Sequence, residues 1–587
     1  MSSRKVKKYL KAQQRARRRA QREQPPEAGT PTSPVRSSRV ERAAPSVAML
    51  AGLGIVAVVA GSAAMSGAAE PQAQPAVIEP YAVPGPAVAE RLVCPRAPGR
   101  PEALSEQGVV EYAQRDDSVV ASTTAVVFAA TDGKFPAAQW IPLDDQGRGE
   151  PETLLAEGTR DAASDGPLAD RPHITEEFDA EQGAPLVEVD PLPGRSPSRA
   201  PVTAAAYSYS ADAGPVTGLT AGTCEAPARS QWFLGPETGD GANSLLTLTN
   251  PHSRDATAEV TTYDADGHTG ALGTTTVLIP QHSVRTVNLA GLSETDSAIA
   301  VHVQASGAPV AGHLQSAGAV GAEGLGVEML PTLPGPQQQH IAIGVPAGAE
   351  ENPELWFYTP GEEEATVELQ VFGADGQVET ETPGVFNLEP DSVAVAGLHG
   401  LPTGTYDVVL NSDQPTFAAV RSAGDGEQIT VEADPETDPV TGENVDDETE
   451  QEQEPIPDFS WAAAAEPLGA GSVGILAPGQ VSALRVLNPA AEQPAQVSYR
   501  LLDSAGGRTE DLVIDVDAGT SAEVTYEELV ESAQAADLED LAAVVVADIE
   551  GEAYGGIVAS SEVGGVTSAA LVPAAPSAQH VPLRIEP

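Results

Sequence analysis

Five of the nine histidines, His252, His268, His282, His302 and His313, fall within one short stretch of this 587-residue chain. Imidazole is the commonest metal ligand and the usual general base near neutral pH. If Gly307-Ala308 forms a two-residue hairpin turn, His302 stands directly opposite His313, with Cβ atoms about 5 Å apart, close enough to share a metal ion. The corresponding strands of two later copies of the same pattern contain no histidine. His302 and His313 are therefore weak metal candidates against a plainer expectation, a pair of exposed cross-strand polar residues, and no cofactor is expected.

The two cysteines, Cys94 and Cys224, are the other reactive pair. In an oxidising compartment an isolated even pair forms a disulfide, which here would close a loop of about 130 residues and stabilise by up to about 5 kcal/mol on the chain-entropy account. A shared zinc site is the alternative, but two thiolates with no neighbouring Cys or His motif do not complete a ligand set.

Nucleophilic and acid–base constellations are weaker still. Ala470-Gly471-Ser472-Val473-Gly474 lacks the first glycine of a nucleophile elbow and sits among strand-forming residues, so it reads as a loop. Carboxylate pairs for glycoside hydrolysis are available by sheer abundance, yet a sugar cleft brings aromatic platforms and the chain is only 4% aromatic. Trp140, Trp232, Trp356 and Trp461 are spread about one per domain, a spacing that suits core anchors. The chain is expected not to be an enzyme.

Residues 43–69 run for 27 positions without a charged side chain. Ahead of them, residues 1–42 hold 13 Lys and Arg against 3 Glu, a net of +10, so the whole-chain −54 leaves −64 for the remainder. A helix over 47–65 rises about 1.5 Å per residue and reaches across roughly 30 Å of hydrocarbon. A Lys/Arg-rich flank stays cytoplasmic, which places the acidic C-terminal part outside. The expectation is a single-pass signal-anchor in the cell membrane, with secretion after signal cleavage near 66–69 as the alternative. The basic tail, disordered or partly helical, would lie against anionic lipid heads. Beyond it Lys134 is the sole lysine, so no nucleic acid is expected as an outside partner.

The elements that must carry these residues repeat. Leu245 to Pro251, the strand 258–263 and Asp266-Gly267 recur as Leu355 to Pro360, 365–372 and Asp375-Gly376, then as Leu484 to Pro489, 495–502 and Ala505-Gly506. The proline-to-glycine distance is 16, 16 and 17 residues in the three copies. Short Val/Thr-rich runs broken by Gly and Pro indicate antiparallel strands, and the copy length matches an immunoglobulin-like β-sandwich. The expected fold is all-β: one N-terminal transmembrane helix followed by tandem immunoglobulin-like sandwiches, with a propeller-like or merged-sheet arrangement as the alternative. The expected layout is a tail (1–42), the anchor (43–69), a Pro/Ala tether (70–90) and a divergent β domain (91–230) with a disordered insert near 154–198. Repeats follow at 231–333, 340–430 and 459–580, and an acidic linker (434–458) precedes the last.

Cys94-Pro95, then Cys224 leading to Gln231-Trp232-Phe233, then Leu246 to Pro251 and Asp266-Gly267, carry a likeness to a known family. Together they resemble the membrane-anchored domain of unknown function (DUF) 5719 family of high-GC Gram-positive bacteria. Thr359-Pro360 and Ala505-Gly506 depart from that pattern. The resemblance implies a cell-envelope location and carries no activity. The expectation is a non-enzymatic extracytoplasmic scaffold or interaction module whose partner is an envelope protein or wall polysaccharide. The alternative is an accessory or carbohydrate-binding component of envelope polysaccharide assembly.

Overall fold

The computed structural model describes most of residues 82–582; residues 1–81, 105–109, 114–118, 432–450, 574–579 and 583–587, with several shorter loops, lie outside it. The basic tail, the apolar run and most of the tether thus fall outside the described residues. Among the described residues no helix is long and apolar enough to cross a membrane.

The second copy of the fold shows how the chain is woven. Its strands Ala256–Asp264 and Ala298–Gly307 pair antiparallel, with Ser230–Glu237 on the inner side and Thr274–Ile279 on the outer side. A second sheet runs Ser283–Asn288, Ala242–Asn250, Ala311–Val320, Glu323–Leu330. Numbered within the copy, the orders are 1-6-3-4 and 5-2-7-8. Alternation drives the pairing: Ala258 and Val260 point into the core while Glu259 between them is exposed. Phe233, Leu246, Val260, Val301 and Leu314, drawn from both sheets, fill one core, so each copy is a two-sheet sandwich.

Residues 337–463 and 472–570 repeat the same two orders, and so does the irregular first segment. There Glu90–Val93, Ala184–Val189, Ala138–Leu143 and Glu152–Leu155 form one sheet, and His173–Asp179, Val120–Phe128, Val202–Ala211 and Gly218–Thr223 the other. The chain therefore contains four modules where the repeat pattern gave three and a divergent domain. The stretch 154–198, expected as a disordered insert, supplies two of the eight strands, and Leu186, Val187 and Val189 within it are buried. Its charged Pro-rich connections concealed them. The acidic segment also divides the chain elsewhere than expected: Asp458–Ala463 pairs with the strand ending at Gly424, so it completes the third module after the acidic run.

Each sheet packs on both faces. Leu355 and Phe357 enter the third module's own core, whereas Trp356 and Tyr358 on the opposite face join the core of the second module. The third and fourth modules meet through Ile341, Ile343, Leu487 and Tyr554, and the first and second through Ile141, Leu186, Val284 and Ala311. Val126 and Phe128 of the first module close against Val473 and Val545 of the fourth. The last junction makes a ring, so the modules share cores with their neighbours. Among the described residues one α-helix occurs, Tyr526–Ala535, started by a capping box between Thr525 and Glu528.

The repeated Asn-Pro pair has a structural task beyond ending a strand. Buried Asn250 donates from Nδ2 to the Arg254, Ile279 and Pro280 carbonyls at 2.8, 3.1 and 3.1 Å, while its Oδ1 accepts from His252 N. Asn488 makes the same set with Gln493, Val516, Asp517 and Ala490 N. Each side chain ties the end of strand 2 to the end of strand 4. Asn488→Ala leaves buried backbone groups without partners and is expected to cost about 2 kcal/mol or more, read as a lowered urea midpoint. Thr359→Ala, at the third module's equivalent position where the hydroxyl already lacks a partner, should cost far less.

Candidate functional site

The four innermost strands, Gly218–Thr223, Glu323–Leu330, Asp458–Ala463 and Val566–Ala570, pack around the ring axis in a closed cycle. Equivalent positions on them hold Gly218, Gly326, Asp458 and Gly565. The Asp458 carboxylate fills the space that Gly218 and Gly326 leave, whereas Gly565 lies against Leu219. Its Oδ2 accepts from Leu219 N at 2.8 Å and Val566 N at 3.0 Å, and its Oδ1 from Val327 N at 3.2 Å. Donors from the first, second and fourth modules thus converge on one side chain of the third. Gly218 and Gly326 have φ of +137° and +108°, and a Cβ at Gly218 would lie 2.5 Å from Asp458 Oδ1. Only glycine fits there.

Two residues further along each strand a second layer forms. Glu328 accepts from Thr220 Oγ1, from Thr567 Oγ1 at 3.1 Å and from Met329 N at 3.0 Å. Burial pushes the Asp458 carboxyl up to about 7, against the opposing pull of its backbone donors. Burial likewise raises Glu328 well above the usual carboxylate range, and the charge on Asp458 adds to it.

Above these layers a cavity of about 420 Å³ opens among all four modules. Its wall includes Tyr207, Glu225, Gln231, His313, Glu328 and Glu466. Glu225 is set by the first module's closure. The Cys94–Cys224 disulfide forms as the sequence led one to expect, spanning 130 residues, and beside it Val93 and Glu225 exchange both backbone hydrogen bonds at 2.8 Å. The Glu225 side chain accepts from Thr332 Oγ1 at 2.7 Å, and burial raises its pKa. Buried His313 donates from Nε2 to the Val93 carbonyl at 3.1 Å, and burial holds it down to about 4, so it stays neutral.

His302 and His313 are not brought together. His302 pairs with Trp232 and Thr261 in one sheet of the second module, and His313 with Thr247 in the other. The connection through Gly307-Ala308 passes from sheet to sheet and does not turn back as a hairpin, because strands 6 and 7 belong to opposite layers. His302 stacks on Trp232 with ring centroids 4.2 Å apart and meets Ser230 Oγ at 2.9 Å. Among the described residues no group of three or more His, Cys, Asp or Glu side chains is placed to hold a metal. Ser472 begins a strand and accepts from Gly469 N at 3.1 Å.

Asp458 and Glu225 escaped sequence reasoning. Asp458 sat at the end of an acidic run and was grouped with it. The signal that marks the axis is the recurring Gly-apolar-polar triplet, Gly218-Leu219-Thr220, Gly326-Val327-Glu328 and Gly565-Val566-Thr567.

Fold and axis together define an all-β ring of four two-sheet modules locked by buried carboxylates. The family described as "Family of unknown function (DUF5719)" matches residues 180–527, more than half of the chain, and the chain belongs to it. No curated protein matches the chain.

The axial carboxyls set a pH dependence whose sign is opposite to that of a salt-bridged acid. Asp458 and Glu328 hold their protons more tightly folded than unfolded. The stability this contributes is full below about pH 4 and is lost as pH rises, for Asp458 through about 7. The urea midpoint should fall between about pH 5 and pH 8 at fixed ionic strength. Glu328→Gln, which keeps an acceptor for Thr220, should flatten that fall; an unchanged slope would assign it to the surface charge instead.

Proposed function

We propose that the chain is a non-enzymatic envelope protein: a single-pass signal-anchor holds it in the cell membrane with the basic tail inside, and the ring stands outside as a scaffold or interaction module. The Cys94–Cys224 disulfide is the observation that carries the outside placement, since such bonds persist in oxidising compartments. The strongly acidic body agrees with it, because self-repulsion keeps a displayed domain soluble.

In this reading each module is immunoglobulin-like at its centre. Strand 2 lies beside 5 and strand 3 beside 6, as B lies beside E and C beside F in that fold. The flanking strands are exchanged: strand 1 takes the place beside 6, and strand 7 the place beside 2. That exchange makes both outer sheet faces available to neighbours and lets four modules close.

Protease added to intact cells tests the placement. Loss of the ring with survival of a fragment carrying residues 1–42 in the membrane fraction is the expected result. A ring protected until lysis, or a full-length chain released into the soluble fraction, would overturn it.

A further inference from the structure

The axial cavity differs from the rest of this protein in what its walls leave unmatched. Glu225, Glu328 and Glu466 line it, together with Tyr207 and the neutral His313, and among the described residues its lining contains neither Lys nor Arg. Glu328 is satisfied by three donors. Glu225 is not so provided for: it is only partly exposed, Thr332 Oγ1 donates to it, and among the described residues the influences on its titration include no cation. A carboxylate withdrawn from water without a positive partner is costly. Around it stand Leu330, Leu333 and Val572, which give the cavity apolar walls.

We propose that the axial cavity is a binding site for a small organic cation, a primary ammonium group on an apolar stem, with Glu225 as its counter-ion. The ammonium supplies the positive charge that Glu225 lacks and a donor for its carboxylate, while the stem lies against Leu330, Leu333 and Val572. Volume agrees with a ligand of this kind: about 420 Å³ exceeds what a bare ion needs and falls within the range of small-molecule sites. The acidic body raises the local concentration of cations around it. Exposed Glu466 lines the same cavity and would contribute attraction without burial. Because a bound ammonium favours the ionised carboxyl and burial favours the protonated one, binding lowers the Glu225 pKa and releases protons wherever the free carboxyl still carries them. Affinity therefore rises with pH until Glu225 is ionised in the free protein. Of the neighbouring groups, Tyr207 and His313 stay neutral over that range, since burial raises the first and lowers the second.

The inference goes beyond the scaffold reading and is tested without cells. The full chain, reconstituted in phosphatidylcholine nanodiscs at constant ionic strength, is titrated with n-butylammonium and with n-butanol by calorimetry in buffers of different ionisation heat. One butylammonium per chain, accompanied by proton release that fades as pH rises and the free Glu225 carboxyl ionises, with no saturable binding of butanol, is the expected result. Glu225→Gln should weaken binding at least tenfold and abolish the proton release. Thr332→Val should keep the site but move the pH dependence upward, and Glu466→Gln should weaken binding without altering proton release. Absence of saturable ammonium binding to the wild-type chain, equal binding of butanol, or undiminished binding by folded Glu225→Gln would each overturn the proposal, whatever the protein's cellular location.

Discussion

A single carboxylate holds the centre of this protein. Asp458 reaches backbone N–H groups of the three other modules, and those groups have no strand partner where the four inner strands converge. Buried N–H donors without acceptors would each cost on the order of 1–3 kcal/mol. The Asp458 side chain leaves no room for another at Gly218 or Gly326, so both must be glycine. A four-fold repeat has thereby become asymmetric at one residue. Four aspartates would collide and repel; four glycines would leave the donors bare.

Around that axis the junctions use different chemistry for the same task. Gln315 exchanges two hydrogen bonds with the Gly99 backbone between the first and second modules. Trp232 packs on Tyr358 and Phe417 between the second and third, with centroids 5.4 and 4.9 Å apart. Arg485 meets Asp407 at 2.9 Å between the third and fourth, both buried, and Gly344 N and Ser521 also donate to Asp407. Arg500 bonds Asp170 at 2.7 Å where the fourth returns to the first. In a body with so few cations, two arginines committed to module boundaries show where cohesion must offset the general acid repulsion. A buried pair with its remaining valences filled favours one register over others even where its net stabilisation is small.

The strands themselves were legible in the sequence. Alternation over 258–263 and 365–372, the Asn-Pro stops and the spacing to the turn glycine identified the units and their approximate lengths. Pairing was not legible, because alternation says which residues face a core but not which of two layers a strand joins. The run 298–305 followed closely by 310–316 has every local mark of a hairpin, yet the two strands separate into opposite sheets. That one misassignment produced the opposed His302 and His313. The first module reads as a divergent β domain rather than as a copy for another reason: its strand 2 ends in Phe128-Ala129, without the Asn-Pro pair that marked two of the other copies. Trp461 was assigned to the following copy because the acidic run looked like a boundary, whereas an insertion between strands 7 and 8 is tolerated wherever both ends stay in place. The Thr525-Glu528 capping box was readable and was submerged by the all-β signal around it.

The disulfide joins compartment to site. It ties strand 1 of the first module to the residue just past strand 8, and those strands lie in different sheets, so the bond fastens the two layers at the cavity end. Cys224 is followed directly by Glu225, Cys94 is preceded by Val93, and the Val93 carbonyl takes both Glu225 N and His313 Nε2. One wall of the cavity is therefore assembled on the cross-link.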